Sequence, residues 1–312
     1  MHRCCLITLL CLQLELQSCA FGYYRQKTRN NVCKNFKDYN YIDTSPNCWY
    51  NPDVDATVPE MINRNNYPVE RYQVATADGY ILTLFRIPKK ESNKGVVYLQ
   101  HPLTAAANVW VDKGNKSLAF LLSDAGYDVW MGHFRGTIYS SKHLRLPTTS
   151  NAYWNHSFHE MGMYDLPAQI DLVKKYSHTS DKIYYVGHSM GTTAAFIYNA
   201  LLPKHAEKNI KVFVEMAPTA FLGNSNILMQ HIAFLRQPIV DICEQFNFMN
   251  LFNHNGFFHN FAKGFCLYKD NLERCAKLVI FLGMGPNYGN QMPLPNRNGF
   301  LLCCIKILRD FP

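Results

Sequence analysis

From about residue 70 the apolar and polar positions fall into two recurring patterns. Residues 70–76 alternate with a period of two, Ala77-Asp78-Gly79 makes a turn, and residues 80–87 alternate again until Pro88, which predicts a β-hairpin. Gly95-Val96-Val97-Tyr98-Leu99-Gln100 is a compact apolar run and reads as a buried strand. Residues 116–125 have helical spacing and stop at Gly126, and residues 127–131 form another short apolar run. An amphipathic helix is predicted over 164–175 and a strand over 182–186. A helix over 192–202 ending at Pro203 and a strand over 212–216 follow. Continuous apolar strands alternating with helices imply a mostly parallel sheet covered on both faces, an α/β class. Residues 21–65 show little periodicity and read as an irregular lead-in. Beyond Pro218 the alternation stops, and a stretch rich in Phe, Asn, His and Leu predicts a mostly helical insertion over the sheet.

The N-terminus changes the picture of where the chain works. Met1-His2-Arg3, the apolar run 4–12 and the small residues Ser18-Cys19-Ala20 predict a signal peptide over residues 1–20. The run is too short, and Gln13 and Glu15 too polar, for a membrane-spanning helix, and no other segment reaches about 18 uninterrupted apolar residues. The expectation is a soluble monomer, secreted or lysosomal. Of 11 cysteines, Cys4, Cys5, Cys11 and Cys19 leave with the signal. Cys33, Cys48, Cys243, Cys266, Cys275, Cys303 and Cys304 remain, in a compartment that permits pairing. Cys266 and Cys275 enclose a short loop and are the first candidate pair, with Cys33–Cys48 the second. The odd count leaves a thiol free or intermolecular. Asn115-Lys116-Ser117 and Asn155-His156-Ser157 are acceptor triplets for glycans on Asn115 and Asn155. The formal charge of +8 comes from scattered residues, with neither a basic run nor a Lys/Arg stripe with aromatic platforms, so no nucleic-acid partner is expected. No Cys/His spacing suggests a metal site, and no cofactor is expected.

The chemistry concentrates in Ile183-Tyr184-Tyr185-Val186-Gly187-His188-Ser189-Met190-Gly191. A strand, G-x-S-x-G and a helix in that order place a serine on a sharp turn above the sheet. Ser189 is the expected nucleophile. Gly187 and Gly191 are needed where neighbouring backbones come close, and the N–H of Met190 is one expected oxyanion donor at the helix start. The second is assigned to the N–H of Leu103, in the loop after the strand that ends at Gln100. His101 and His188 read as locally hydrogen-bonded or packing residues.

These segments resemble the acid lipase family that includes gastric lipase and lysosomal acid lipase. The resemblance runs from about residue 58 to about residue 290. It includes Asp78-Gly79-Tyr80-Ile81-Leu82, Leu99-Gln100-His101, Asp124-Ala125-Gly126-Tyr127-Asp128-Val129-Trp130, Arg135-Gly136, Tyr164-Asp165-Leu166-Pro167-Ala168 and Gly187-His188-Ser189-Met190-Gly191-Thr192-Thr193. It implies an α/β-hydrolase fold with a helical cap and lid. It also implies cofactor-free ester hydrolysis of neutral lipids, triacylglycerol or sterol ester, and a cap disulfide on Cys266 and Cys275. The expected organisation is a core over residues 21–218, a cap over 219–290 and a divergent tail over 291–312. Pro102 stands where the family has glycine, and His133-Phe134 where it has Asn-Ser. The triad Asp and His should follow the cap, but residues 287–312 lose the pattern, as if the last strands were missing. Asp241, Asp270, Asp310, His205, His231, His254 and His259 fall in the helix after the elbow, the cap or the tail. The triad acid and base are therefore unassigned and expected to be absent, with low or no activity. A non-catalytic lipid-binding protein and an esterase for other substrates are the alternatives.

Overall fold

The computed structural model describes residues 30–89, 94–103, 105–177, 181–220, 231, 234–245, 265–266, 271 and 273–275. Two short strands come first: β1 (Val32–Cys33) and β2 (Cys48–Trp49) pair antiparallel and are joined by a Cys33–Cys48 disulfide. Helix α1 (Val58–Arg64) follows inside the stretch expected to be irregular. Its start is set by a capping box, in which Thr57 Oγ1 accepts the Glu60 N–H while the Glu60 carboxylate accepts the Thr57 N–H at 2.7 Å. Two turns are too few for periodicity to register, but Thr57-x-x-Glu60 with Pro59 between them was the available signal. Val58, Met61 and Ile62 are the face it buries.

The main sheet contains β3 (Glu70–Ala75), β4 (Tyr80–Ile87), β5 (Val96–Gln100), β6 (Asp128–Gly132), β7 (Lys142–His143), β8 (Ile183–His188) and β9 (Ile210–Met216). Its order is β3-β4-β6-β5-β8-β9, with β7 paired to β4. The four strands β6-β5-β8-β9 run parallel, and β3, β4 and β7 form an antiparallel flank. The hairpin and every strand predicted from residue 70 onward are present, with ends shifted by one or two residues.

Both faces of the parallel strands are covered, which is why their sequences read as unbroken apolar runs. On one face Tyr98, Trp130 and Tyr185 pack with Ile170 and Val173 of α3 (Leu166–Ser177) and with Ala194 and Tyr198 of α4 (Met190–Leu201). On the other face Val97, Leu99, Val129, Met131 and Val186 meet α1 and α2 (Leu118–Asp124). A π-helical turn, Met161–Asp165, precedes α3 and carries Gly162 against Ile197 of α4. Pro203, read as a helix stop, also opens a new helix, α5 (Pro203–Asn209). Proline suits the first turn because the N–H it lacks would have no partner there.

In the region expected to be a cap, α6 (Arg236–Gln245) is helical and Cys266 is bonded to Cys275. Most of the rest of that region, the expected signal peptide and the expected tail lie outside the described residues, as do Cys303, Cys304, His254, His259, Asp270 and Asp310. Among the described residues no helix is long and apolar enough to cross a membrane.

Candidate active site

The chain passes from β5 through α2 to β6 on one side and from β8 through α4 to β9 on the other. The carboxyl ends of β5 and β8 are therefore the point where the winding reverses, and there the crevice of an open α/β sheet opens. Gln100 at the end of β5 lies in register with Gly187 of β8 and Gly132 of β6. Ser189 stands two residues beyond Gly187, and the loop 101–103 begins one residue beyond Gln100.

Ser189 links β8 to α4 with φ 51° and ψ −111°. A side chain in that region carries strain of order 1–3 kcal/mol, which the surrounding contacts must hold. The Ser189 N–H donates to the Met216 carbonyl at the end of β9 (3.0 Å), and the Ser189 carbonyl accepts from the Thr192 N–H (2.8 Å) and the Thr192 hydroxyl (2.5 Å). Its own side chain makes no capping bond to the helix. A methyl group on Gly191 would stand 2.7 Å from the Gln100 carbonyl oxygen, and one on Gly187 would stand 2.9 Å from the Gly191 carbonyl carbon. Glycine is required at both positions by close approach of backbone. Tyr185 completes the support by donating its hydroxyl to the Gly191 carbonyl (2.7 Å). Gly191→Ala is expected to lower stability by about 1–3 kcal/mol, read as a fall of several degrees in thermal midpoint. An unchanged midpoint would show that the elbow is less tightly built than its contacts indicate.

Met190 is the first residue of α4, and its N–H has no carbonyl of its own helix ahead of it. Across the crevice Leu103 is 56% exposed, so the loop after β5 reaches the surface beside the elbow. Behind it His101 is fully buried. Its Nε2 accepts the Phe134 N–H (3.2 Å), and its Nδ1 meets the Pro102 carbonyl (2.8 Å). Both ring nitrogens are engaged, and burial holds the ring neutral, with its pKa pushed down to about 4. His188 is half-buried, and desolvation with the nearby Lys113 lowers its pKa.

None of the described acids or imidazoles is hydrogen-bonded to the Ser189 side chain. His205 has the partners of a catalytic base, with Asp171 at 3.0 Å and the Tyr198 hydroxyl at 2.6 Å. It lies in α5, however, after α4 has run back to the amino ends of the parallel strands, the far side of the sheet from Ser189. Asp241 is exposed on α6 and accepts from Gln237 one turn earlier (2.9 Å). His231 is exposed. The periodic reading missed Glu215 on β9, in register with Gly187, whose carboxyl is pushed up to about 7 by burial.

Known proteins resemble this chain over the hairpin and the parallel strands. A family model described as a partial alpha/beta-hydrolase lipase region matches residues 58–114, and one for the alpha/beta hydrolase fold matches residues 95–230. Lipase member K of Mus musculus is 43% identical over 199 residues, 62% of this chain and 50% of that protein. Gastric triacylglycerol lipase of Homo sapiens is 40% identical over 245 residues, 75% of this chain and 59% of that protein. Lysosomal acid lipase/cholesteryl ester hydrolase of Macaca fascicularis is 38% identical over 239 residues, covering 74% and 59%. This chain has the α/β-hydrolase fold and is similar to the acid lipases. It spans about half the length of the first of these relatives. Leu103 lies within both matched regions, and Ser189 and Met190 lie within the one for the alpha/beta hydrolase fold. Pro102 lies in the loop after β5, and His133 contacts its far end through the Ala107 N–H.

Proposed function

We propose that this chain is a serine-nucleophile hydrolase of carboxylic esters, acting on neutral lipids, triacylglycerol or sterol ester, at a lipid–water interface. The observation that carries the reading is Ser189 held at φ 51° between two glycines required by close backbone contact, at the reversal point of the sheet. Its hydroxyl oxygen attacks the ester carbonyl, and the N–H groups of Leu103 and Met190 receive the oxyanion. The alcohol leaves, and water hydrolyses the acyl-enzyme. Each oxyanion donor is worth about 3–4 kcal/mol in such a reaction. The relatives named for triacylglycerol and cholesteryl ester support the substrate class. They also support a secreted or lysosomal location, with the signal peptide over residues 1–20 and exposed Asn115 and Asn155 as glycan sites. The working form proposed is a monomer, with a core over 21–218, a cap over 219–290 and a tail over 291–312.

The proposal has a second part. No acid–imidazole pair faces Ser189 among the described residues, so turnover is expected to be low or absent. Loss of a triad member costs on the order of 10⁴–10⁶ in rate. The same observation favours a second reading, a lipid-binding protein that does no chemistry. The test is hydrolysis of a short-chain nitrophenyl ester and of emulsified triacylglycerol at about pH 5 and pH 7, with Ser189→Ala beside the parent. Slow turnover abolished by Ser189→Ala supports the proposal. Rapid turnover that depends on Ser189 keeps the nucleophile and overturns the incomplete triad. Equal lipid affinity in both proteins, with no Ser189-dependent chemistry, favours the binder.

A further inference from the structure

His133 stands directly after β6 and is fully buried. Its ring bridges two distant pieces of backbone. The Ala107 N–H can only donate, so His133 Nε2 accepts it (3.2 Å). The Thr83 carbonyl can only accept, so Nδ1 carries the proton and donates (2.7 Å). The same logic fixes His101, whose Nε2 accepts from Phe134 and whose Nδ1–H donates to the Pro102 carbonyl. The two rings lie 5.8 Å apart. His133 is itself tied down, because its N–H donates to Gln169 Oε1 (3.1 Å) and its carbonyl accepts from the Ser140 hydroxyl (3.4 Å).

The loop between β5 and the helical turn Ala107–Trp110 is thus gripped at both ends. At its start, the hydrogen bond to the Pro102 carbonyl holds the peptide plane that Pro102 shares with Leu103. In a trans peptide the C=O and N–H point in opposite directions, so fixing one aims the other. At its end, Ala107 is pinned through His133 to β4. We infer that His133 is a positioning residue, which with His101 clamps the loop carrying the Leu103 N–H. The inference rests on the proposed role of Leu103 as an oxyanion donor. Glutamine carries an amide oxygen to about the position of Nε2 and can accept the Ala107 N–H in its place. Phenylalanine keeps the ring's shape and makes neither contact.

The experiment uses the full chain and has two parts. Long-range ¹H–¹⁵N spectra of ¹⁵N-histidine protein report the tautomers, and amide hydrogen exchange reports the loop. Both rings should be neutral with the proton on Nδ1. In His133→Phe the Ala107 amide should exchange about tenfold faster or more, while Val97 and Leu99 in β5 stay protected, and His133→Gln should restore the parent rate. A proton on Nε2 of His133, or an unchanged Ala107 rate in folded His133→Phe, overturns the inference. If His133→Phe does not fold, the parent's tautomers and the Gln variant's exchange still decide. Phosphonylation of Ser189 by an alkyl fluorophosphonate, with imidazole present, is measured alongside and should slow about tenfold in His133→Phe and recover in His133→Gln. If Ser189 is never labelled in the parent but the spectra and exchange come out as expected, the clamp stands and the hydrolase reading fails. If labelling proceeds and is indifferent to His133, the hydrolase reading stands and the positioning role fails.

Discussion

Arg135→Met is expected to destabilise the protein by about 3–5 kcal/mol, the cost of stripping the partner from a buried charge. The guanidinium is 1% exposed and joins three separate pieces of chain. Its Nε and Nη2 donate to Asp165 Oδ1 (2.9 and 2.7 Å), and its Nη1 and Nη2 donate to Asp78 (2.6 and 3.0 Å). Its main-chain N–H adds a bond to Asp165 Oδ2 (3.0 Å), and the group lies 4.0 Å from the centre of the Tyr80 ring. The β3–β4 turn, the loop after β6 and the turn before α3 are held through this one side chain. Methionine keeps much of the volume but leaves Asp165 unpaired in the interior.

The sign of the pH dependence follows. Burial pushes Asp165 up to about 6, against the pull of Arg135, so removing Arg135 raises it further. A carboxyl raised above its unfolded value favours the fold while protonated and loses that contribution as pH rises through the folded pKa. The deficit of Arg135→Met should therefore be smaller at pH 5 than at pH 8. Denaturant melts at both pH values check this. A loss under about 1 kcal/mol, the scale of an exposed ion pair, would show that the knot is not what holds these segments.

Added imidazole is expected to accelerate acylation of Ser189 by about tenfold or more. A positioned base supplies roughly 10²–10⁴, and on the proposal that turnover is low for want of one, a dissolved base recovers part of that. His101 cannot take the role because both nitrogens are bonded and the ring stays neutral down to about pH 4. His205 cannot because it sits at the other end of the sheet. The check is the rate of nitrophenyl release with and without imidazole, corrected by the Ser189→Ala blank. Fast release that imidazole does not change would mean that residues outside the described ones already supply a base.

The fold was largely legible because its strands are buried on both faces. Val97 and Leu99 point one way and Tyr98 the other, and all three are apolar. The elbow was legible because G-x-S-x-G between a strand and a helix meets a steric demand that the contacts of Gly187 and Gly191 make plain. Short-range order without a period was not legible. Helix α1 has two turns, and the π turn before α3 moved that helix two residues later than its spacing predicted. The ion knot is not legible in the sequence, since no pattern of spacing shows that Asp78, Arg135 and Asp165 meet. The roles of His101 and His133 were invisible for the same reason. They are set by carbonyls and N–H groups up to 50 residues away, which spacing along the chain cannot report.

The central claim is that Ser189 is a built nucleophile. Exposure of the folded protein to a long-chain alkyl fluorophosphonate in the presence of imidazole, followed by mass spectrometry of the intact chain and its peptides, tests it most directly. The serine oxygen displaces fluoride and leaves a phosphonyl ester of fixed mass. The account predicts one adduct, on Ser189, absent from Ser189→Ala. An unlabelled Ser189 in folded protein, or an adduct on a different serine, would contradict it.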